Sequence, residues 1–248
     1  MAIYRGPACP HPLDVWSDEA HRAAREAIDG LKPVDEIAVM AFTDTTKLIQ
    51  PFTRNRIMIE QALNNIPAPA KTTNVAHCFN LMFADAAEHM VKASNPAGRR
   101  VIIVITAMTR LFDCTNGPSN RAASNAIYES GAVVCAIIPK VLTQQVENTL
   151  QTFATRVNKV VAARYMDLDF LANETGGEVF VDKREKLGTT FQTLIDHLRS
   201  RYNLAFVSTN KNRDGTTRKL KLDIDPVQQK SKGKLVIKAR RSYISPRS

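Results

Sequence analysis

The stretch RRVIIVITAMTRLFD, residues 99–113, contains five consecutive β-branched residues, from Val101 to Ile105. Such a run predicts a strand that is buried on both faces, as in a parallel sheet covered by helices. Ligands of these sheets bind beyond the carboxyl ends of the strands. Thr106 and Ala107 stand at that end, where a binding site needs carboxylate or hydroxyl groups. Ala107 supplies neither.

The rest of the chain alternates strand patterns with amphipathic helix patterns. Strands are predicted at 36–43, 46–52, 100–106, 132–138 and 178–181, and helices at 17–31, 54–66, 74–93, 119–130, within 166–177, and at 187–200. The first two strands are expected to pair across the Asp44-Thr45 turn. The alternation predicts an α/β fold with a doubly wound, mainly parallel sheet, in which strands 100–106 and 132–138 are parallel neighbours.

The pattern changes after Tyr202. Residues 202–209, 217–225 and 233–244 alternate apolar with polar side chains, which predicts a three-stranded antiparallel β appendage with one face in solvent. Alternation places four basic side chains on that face: Lys219, Lys221, Lys238 and Arg240. The predicted organisation is an irregular segment at 1–16, an α/β domain at 17–200 and a basic appendage at 201–248.

The appendage carries almost all of the net charge. Residues 211–248 contain twelve Lys and Arg against three Asp, a balance of +9, so the other 210 residues contribute only +1 to the total of +10. This asymmetry fits a surface for nucleic acid or another polyanion, and it also fits the solvent face of a small sheet. Only one aromatic residue, Tyr243, lies beyond residue 211, which disfavours base stacking.

Composition and motifs exclude several classes of protein. No stretch approaches the ~18 apolar residues that span a bilayer, and MAIYRGPACPHP lacks the apolar core of a signal peptide. Four scattered cysteines without a CxxC pattern predict buried free thiols, not a zinc site. A phosphate-binding glycine loop, GxSxG and HExxH are all missing from the sequence, so no enzymatic activity and no cofactor are expected.

Several segments resemble, in order and spacing, the von Willebrand factor type A (VWFA) domain, in the bacterial "VWFA-related" branch first noted in Acidobacteria. The matching segments are 29–53, 71–86, 99–106, 129–138, 171–180, 201–209 and 238–246. The resemblance implies a doubly wound sheet with a metal-ion-dependent adhesion site at its carboxyl edge. It also implies a protein-binding or adhesive role, and members of the family are often exported.

The resemblance implies three sources of metal ligands: an Asp-x-Ser-x-Ser after the first strand, a Thr at a helix start and an Asp after the fourth strand. The Thr corresponds to Thr73, and the Asp corresponds to Ala107. The Asp-x-Ser-x-Ser is not found; Asp14 and Ser17 offer the nearest match, but no buried strand precedes them. One hydroxyl does not hold Mg²⁺ or Ca²⁺, so this pattern predicts a degenerate site without metal.

Other polar residues near the predicted rim are candidates for ligand contacts. Asp44 and Asp113 lie in loops that can reach the same edge as Thr73 and Thr106, although they also fit turn residues exposed to water. His77 stands where the family often has an acidic residue, and a structural histidine is the alternative to a ligand there.

The first strand of this fold is not evident in the sequence, which begins almost at the first helix. Without it, strands 36–43 and 100–106 each present an unpaired apolar edge, a cause of self-association. The expectation is an incomplete chain; alternatively, another chain or the short MAIYR segment fills the position.

Three functional hypotheses follow. The first is a non-enzymatic interaction module with a degenerate metal site, which binds an unidentified protein through the rim loops or the C-terminal sheet. The second is an electrostatic binder of nucleic acid or another polyanion. The third is metal-dependent ligand binding if an upstream strand supplies the missing motif.

Overall fold

The computed structural model describes residues 2–4, 22, 24–26, 28–42, 45–66, 79–106, 110–112, 117–140, 165–227 and 236–247. The helical residues 24–26 and 28–29 belong to helix α1. Ten strands are described: β1 (Ala2–Tyr4), β2 (Ile37–Phe42), β3 (Thr46–Thr53), β4 (Val101–Ile105), β5 (Arg110–Phe112), β6 (Val133–Pro139), β7 (Tyr165–Asp167), β8 (Val179–Asp182), β9 (Thr217–Lys219) and β10 (Ser242–Ile244). The other helices are α2 (Arg56–Asn64), α3 (Phe79–Met90), α4 (Asn120–Ser130), α5 (Leu168–Thr175) and α6 (Leu187–Arg199), with a 3₁₀ turn at Arg184–Lys186 before α6.

A parallel sheet forms the centre of the fold. Strand β6 lies between β4 and β8 and is parallel to both, with Val101 opposite Val133 in the β4–β6 ladder. This confirms that strands 100–106 and 132–138 are parallel neighbours. Strands β2 and β3 pair antiparallel, as predicted for a hairpin. The structure is a mixed α/β fold with helices on both faces of the sheet.

Two apolar layers cover the sheet. One contains residues of α1, α2 and α6 with Val39, Ile103 and Ile137, and the other contains residues of α3, α4 and α5 with Phe42, Val104 and Ala136. Successive residues of β4 and β6 point into opposite layers, as the alternation of a strand requires. The continuous apolar runs in the sequence follow from this burial on both faces.

The helix boundaries have local causes that the sequence encodes. The Ser119 hydroxyl accepts a hydrogen bond from the backbone N–H of Ala122 and caps the start of α4. Gly131 ends this helix in the left-handed region, with φ +74°. Asp167 caps α5 in the same way, through the N–H of Phe170, and Gly176 ends it at φ +80°.

The structure bears out in part the alternative in which the MAIYR segment fills the first-strand position. Ala2–Tyr4 forms β1, which is parallel to β2 and pairs with Met40–Phe42, so the MAIYR segment fills part of that position. It also lies against β4, and it therefore stands between the two halves of the sheet. A strand of three residues is too short to show an alternating pattern in the sequence. Its position is determined by the neighbouring edges of β2 and β4.

Two further corrections concern segments predicted as irregular or as strand. Arg110–Phe112, where no strand or helix was predicted, pairs antiparallel with Tyr165–Asp167. In the appendage, only β9 and β10 form a ladder, and residues 202–209 have no strand partner among the described residues. The third predicted strand covers residues 233–244. Its first three residues belong to the segment 228–235, which lies outside the described ranges.

Arg240 is also not on the solvent face. Its guanidinium donates hydrogen bonds to the carbonyl oxygens of Tyr128, in the last turn of α4, at 3.3 Å, and of Ala132, just after α4, at 2.8 Å. Helix C-terminal carbonyls lack internal partners and attract cations. Arg241 N–H donates to Glu174 O at 2.9 Å, and the Ser242 hydroxyl donates to the Glu174 carboxylate at 2.7 Å. The appendage is therefore attached to α4 and α5.

Cys135 is a buried free thiol, and burial raises its pKa to about 11. This confirms the prediction for that cysteine; Cys9, Cys78 and Cys114 lie outside the described residues. None of the helices in the described ranges is long and apolar enough to cross a membrane.

His89, near the end of α3, gives the fold a pH dependence. The residue is 8% exposed, its ring stacks on Phe52 with 5.0 Å between ring centroids, and Nε2 has no hydrogen-bond partner in the described part of the chain. Burial, with a smaller contribution from the charge of Lys92, lowers the pKa of His89. The unfolded chain therefore binds the proton more tightly, and stability falls as pH drops from about 6.5 towards the lower folded pKa.

We expect His89→Phe to remove this dependence, because the phenyl ring retains the stack without titrating. Urea unfolding at pH 8, 6.5 and 5.5 should show a falling midpoint for the wild type and a smaller fall for the variant. Equal slopes for the two proteins would assign the pH dependence to other groups.

Candidate functional site

The carboxyl ends of the parallel strands meet at one edge of the sheet, called the rim here. Described residues that end or follow these strands are Phe42 at the end of β2, Thr106 after β4, Lys140 after β6, Asp182 at the end of β8 and Lys183 after it. In folds of this class, ligands bind outside this edge. The rim is therefore the first place to look for a site.

Thr106 lies where the sequence placed it, directly after β4. It is fully buried, and its backbone N–H donates to the carbonyl oxygen of Ile137 at 3.2 Å, which continues the β4–β6 ladder by one residue. A fully buried residue does not present its hydroxyl to a ligand in solution. Thr106 therefore closes the strand end, and its role in ligand binding stays a prediction.

The other sequence candidates lie outside the described residues. These are Asp44, Thr73, Asp113, Ala107, Asp14 and His77. The described neighbours of three of them end or begin elements: Phe42 ends β2 before Asp44, Phe79 begins α3 after Thr73, and Phe112 ends β5 before Asp113. Because these candidates lie outside the described ranges, whether they come together at the rim stays a prediction.

Asp182 is a rim carboxylate that the sequence analysis missed. It accepts hydrogen bonds from the backbone N–H of Lys183, at 2.8 Å, and from the Thr190 hydroxyl, at 3.0 Å. These two bonds, the first more than the second, lower the pKa of Asp182. The available signal was an acidic residue directly after the apolar strand EVFV. Strand β6 separates β8 from β4, so Asp182 lies two strands, about 10 Å, from the Thr106 position.

Asn80, on the first turn of α3, was also missed. It is fully buried, and its amide donates to the carbonyl oxygen of Pro118 at 2.7 Å. The bond ties the start of α3 to the segment that leads into α4. A single amide within the apolar sequence FNLMF was the signal, because a buried polar side chain needs a partner.

Groups of three or more His, Cys, Asp or Glu side chains that can hold a metal ion do not occur in the described ranges. As possible oxygen ligands, the described rim residues offer a buried hydroxyl at Thr106 and one carboxylate, Asp182, which accepts two internal hydrogen bonds. Mg²⁺ and Ca²⁺ need about six oxygen ligands with sufficient negative charge. These residues do not fit such an ion.

The C-terminal segment is basic, but part of its charge is internally paired. Lys219, Lys221 and Lys238 are exposed, as the alternation predicted. Lys221 forms an ion pair with Asp223 at 2.8 Å, and Arg218 forms one with Asp214 at 3.3 Å. Arg240 caps α4, so these residues present less free positive charge than their sequence suggests.

The same segment exposes a run of apolar side chains. Tyr202, Leu204, Phe206 and Val207 are 91%, 71%, 57% and 84% exposed, respectively. Phe206 packs edge-on against Tyr243 of β10, with 5.4 Å between ring centroids. Phe206 therefore lies beside the β9–β10 ladder, within a segment that exposes four large apolar side chains.

No protein-family model matches the sequence, and neither does any curated protein. Solved structures match the fold. A von Willebrand factor type A protein from Catenulispora acidiphila aligns with a TM-score of 0.52 and 15% identity, over 77% of this chain and 40% of that protein. BatB from Bacteroides thetaiotaomicron aligns with a TM-score of 0.52 and 15% identity, over 81% of this chain and 97% of BatB.

Proximal thread matrix protein 1 from the mussel byssus, in a structure with a zinc-occupied MIDAS motif, aligns with a TM-score of 0.54 and 13% identity. The alignment covers 79% of this chain and 46% of the mussel protein. The chain thus spans less than half of the C. acidiphila and mussel proteins. These similarities show the fold: the chain has the fold of von Willebrand factor type A domains.

Proposed function

We propose that the chain is a non-enzymatic protein-interaction module with a degenerate metal site, which binds its partner without a divalent cation. The observation that carries the proposal is the exposed apolar run from Tyr202 to Val207. Several large apolar side chains exposed within one short segment support a protein-binding surface, because their burial on binding is favourable. The von Willebrand factor type A fold supports this class of function.

The proposal that partner binding needs no divalent cation rests on the residues of the rim. The sequence resemblance puts Ala107 in the position of a carboxylate, and an Asp-x-Ser-x-Ser is missing from the chain. Among the described rim residues, Thr106 is buried and Asp182 supplies one carboxylate, which accepts two internal hydrogen bonds. A ligand acid therefore has no ion to bridge it to the protein.

The interaction role is tested by a pair of variants in one segment. Leu204→Asp with Val207→Asp removes two apolar side chains and adds two charges; Asn203→Asp with Thr209→Asp adds the same charges at exposed polar positions. Proteins that the wild type and the control capture, but the apolar variant does not, are then purified and titrated by calorimetry. We expect at least one to bind the wild type and the control alike, and the apolar variant about tenfold or more weakly. If no partner discriminates between the two variants, this surface is not the interface.

Metal independence gives a direct prediction. Millimolar Mg²⁺, Mn²⁺ or Ca²⁺ should leave the thermal melting temperature unchanged, because an ion that binds only the folded state would raise it. Ala107→Asp should not create metal-dependent stabilisation in this chain, since the second acidic arm is still missing. It would do so in a longer form only if that form supplied the Asp-x-Ser-x-Ser. A clear upward shift for the present chain would mean that Asp44, Asp113 or Asp14 binds the ion.

Exposed Lys219, Lys221 and Lys238 support polyanion binding as the second candidate function. Lysines on a strand face contact phosphates without reading bases, so binding to duplex DNA should be weak, unspecific and steeply dependent on salt. Titration at 50 and 200 mM salt with two unrelated duplexes measures both properties. Sequence preference that persists at high salt would place this function above the interaction module.

A further inference from the structure

The exposed apolar run of the C-terminal segment is held at both ends. Residues 202–207 form no helix, turn or bend. At the start of this run, Arg99 donates a hydrogen bond to Asn203 Oδ1 at 2.8 Å. Just beyond its end, the Tyr243 hydroxyl donates to the Ser208 hydroxyl at 3.1 Å. Because Arg99 precedes β4 and Tyr243 belongs to β10, contacts with distant parts of the fold fix both ends of the run.

The backbone of residues 202–207 is not paired. Among the described residues, no group donates to its C=O groups or accepts from its N–H groups. The run contacts the β9–β10 ladder through side chains, since Phe206 packs against Tyr243 with 5.4 Å between ring centroids. Exposed backbone groups of this kind are available to a strand of another chain. The run is therefore a template on which a second strand can pair.

The side chains of the run form two different faces. In an extended chain, successive side chains point to opposite sides. Tyr202, Leu204 and Phe206 therefore share one face, and all three are exposed. A strand that pairs with the run places its own side chains beside Leu204 and Phe206. Apolar side chains at every second position of that strand match this face.

Unneutralised positive charge follows the run. Lys211, Arg213 and Lys219 are exposed, and none of them forms an ion pair with a described residue. The nearby carboxylates of Asp214 and Asp223 are paired with other basic side chains. Acidic residues of a partner are attracted to these cations, whereas a second copy of this chain brings the same positive charge and is repelled. The charge therefore favours an acidic partner over self-association.

We propose that residues 202–207 bind the partner by strand addition, in which their backbone pairs antiparallel with an exposed edge strand of an acidic protein. The inference rests on the function proposed above, because it takes the same run as the interface and adds the mode of binding and the chemistry of the partner. An unpaired backbone selects an extended polypeptide, since a second strand supplies matching donors and acceptors along its length. Antiparallel pairing is the more stable orientation, and it places the amino-terminal end of the partner strand beside the cations that follow the run.

A synthetic strand with these properties is the probe. It is a fluorescent peptide of two glutamates followed by three Val-Thr pairs. One control peptide replaces the middle Val-Thr pair by two prolines, which removes a backbone donor from each edge of the strand. We expect saturable anisotropy for the probe with the full chain, and binding weaker by about tenfold or more for the proline peptide. A second control, with lysines in place of the glutamates, should bind about fivefold more weakly at low salt.

Protein variants locate the binding. Leu204→Asp with Val207→Asp should weaken binding of the probe by about tenfold or more, and the matched Asn203→Asp and Thr209→Asp control described above should retain it. Melting curves verify that both proteins are folded.

The contribution of charge is tested in the same way. Lys211→Gln with Arg213→Gln should weaken binding of the probe by about fivefold, because two exposed cations are lost. Lys183→Gln with Lys186→Gln removes two exposed lysines next to β8, at the rim, and should leave binding unchanged.

Amide hydrogen exchange distinguishes strand addition from docking of side chains alone. In an antiparallel pair, only every second residue directs its N–H to the partner strand. Bound probe should therefore slow exchange at alternate residues of the run, either at 203, 205 and 207 or at 204 and 206. Nuclear magnetic resonance resolves these amides one by one.

Several results would overturn the proposal: no saturable binding of the probe, equal binding of the proline peptide, or protection without alternation. A concentration-dependent dimer in sedimentation, abolished by Leu204→Asp with Val207→Asp, would also overturn it and make a second copy the occupant. The capture experiment described above separates this inference from the proposed function. If captured partners discriminate between its two variants but the probe fails, the interaction module stands and strand addition is wrong; if neither experiment discriminates, the run is not an interface.

Discussion

Gly177→Ala should lower the free energy of unfolding by about 3 kcal/mol or more, at the upper end of the cost of overpacking a core. A Cβ at this position would overlap the carbonyl oxygen of Val134 and lie 2.7 Å from its carbonyl carbon and 3.2 Å from the Cys135 sulfur. Strand β6 pairs on both sides, with β4 and β8, so its backbone does not shift away without disturbing two ladders. The strain falls on the centre of the sheet.

Gly131→Ala is the matched control. Gly131 also follows a helix, and its φ is +74°, but no atom lies within 4 Å of the position that the added methyl group would take. Its cost is limited to the left-handed backbone, about 1–2 kcal/mol. Urea unfolding followed by circular dichroism measures both. Equal destabilisation of the two variants would contradict the clash with β6 as the cause.

The elements that the sequence predicted well are those with strong local signals. Strands β4 and β6 are continuous apolar runs, and α4 begins at a serine cap and ends at a glycine. Local chemistry alone determines these boundaries, and burial on both faces determines the parallel pairing. The hairpin of β2 and β3 follows for the same reason, since a short turn joins two strand patterns.

The elements that the sequence did not predict depend on contacts distant in the chain. Strands β1, β5 and β7 have three residues each, too few to show a period, and each is positioned by a partner strand. Arg240 alternates with exposed lysines in the sequence, yet the carbonyl groups at the end of α4, more than one hundred residues earlier, bind it. The alternation of apolar and polar residues indicates on which face of a strand a side chain lies. It does not indicate that the end of a helix lies beside that face.

The site was predicted only in part for a related reason. The position of Thr106 follows from the end of an apolar run, and the structure places it there. Asp182 ends a weaker strand whose burial is partial, so its carboxylate was not distinguished from a turn residue. Which strand ends share a rim depends on strand order, and that order is a property of the whole sheet.

Arg201→Met should destabilise the fold by about 3 kcal/mol, because it removes one partner of a mostly buried ion pair. Arg201 and Glu178 are each 16% exposed at the side chain and are joined at 2.5 Å, and Arg201 also donates to the Gly176 carbonyl oxygen. His197 bonds the second carboxylate oxygen at 3.0 Å. The pair therefore attaches the chain after α6 to the start of β8.

A double variant separates the pair from its packing. Glu178→Leu combined with Arg201→Met removes both charges, so no unpaired carboxylate is left in the interior. We expect the double variant to be more stable than Arg201→Met alone, with a coupling of about 1 kcal/mol or more in the double-mutant cycle. Additive losses would mean that the two side chains act independently.

The pH dependence of the same variant gives an independent measure. Burial alone would raise the pKa of Glu178, but the hydrogen bonds and charges of His197 and Arg201 together lower it. The carboxylate therefore stabilises the folded state above its unfolded pKa of about 4.3, and this stabilisation is lost as pH falls through the lower folded value. Without Arg201 the folded pKa rises, so the stability gap between wild type and Arg201→Met should be largest near neutral pH and shrink towards pH 3. Urea unfolding of both proteins at pH 7, 5, 4 and 3 follows the gap directly. A gap that stays constant over this range would show that Arg201 stabilises the fold through its bond to Gly176 and its packing, and not through the charge of Glu178.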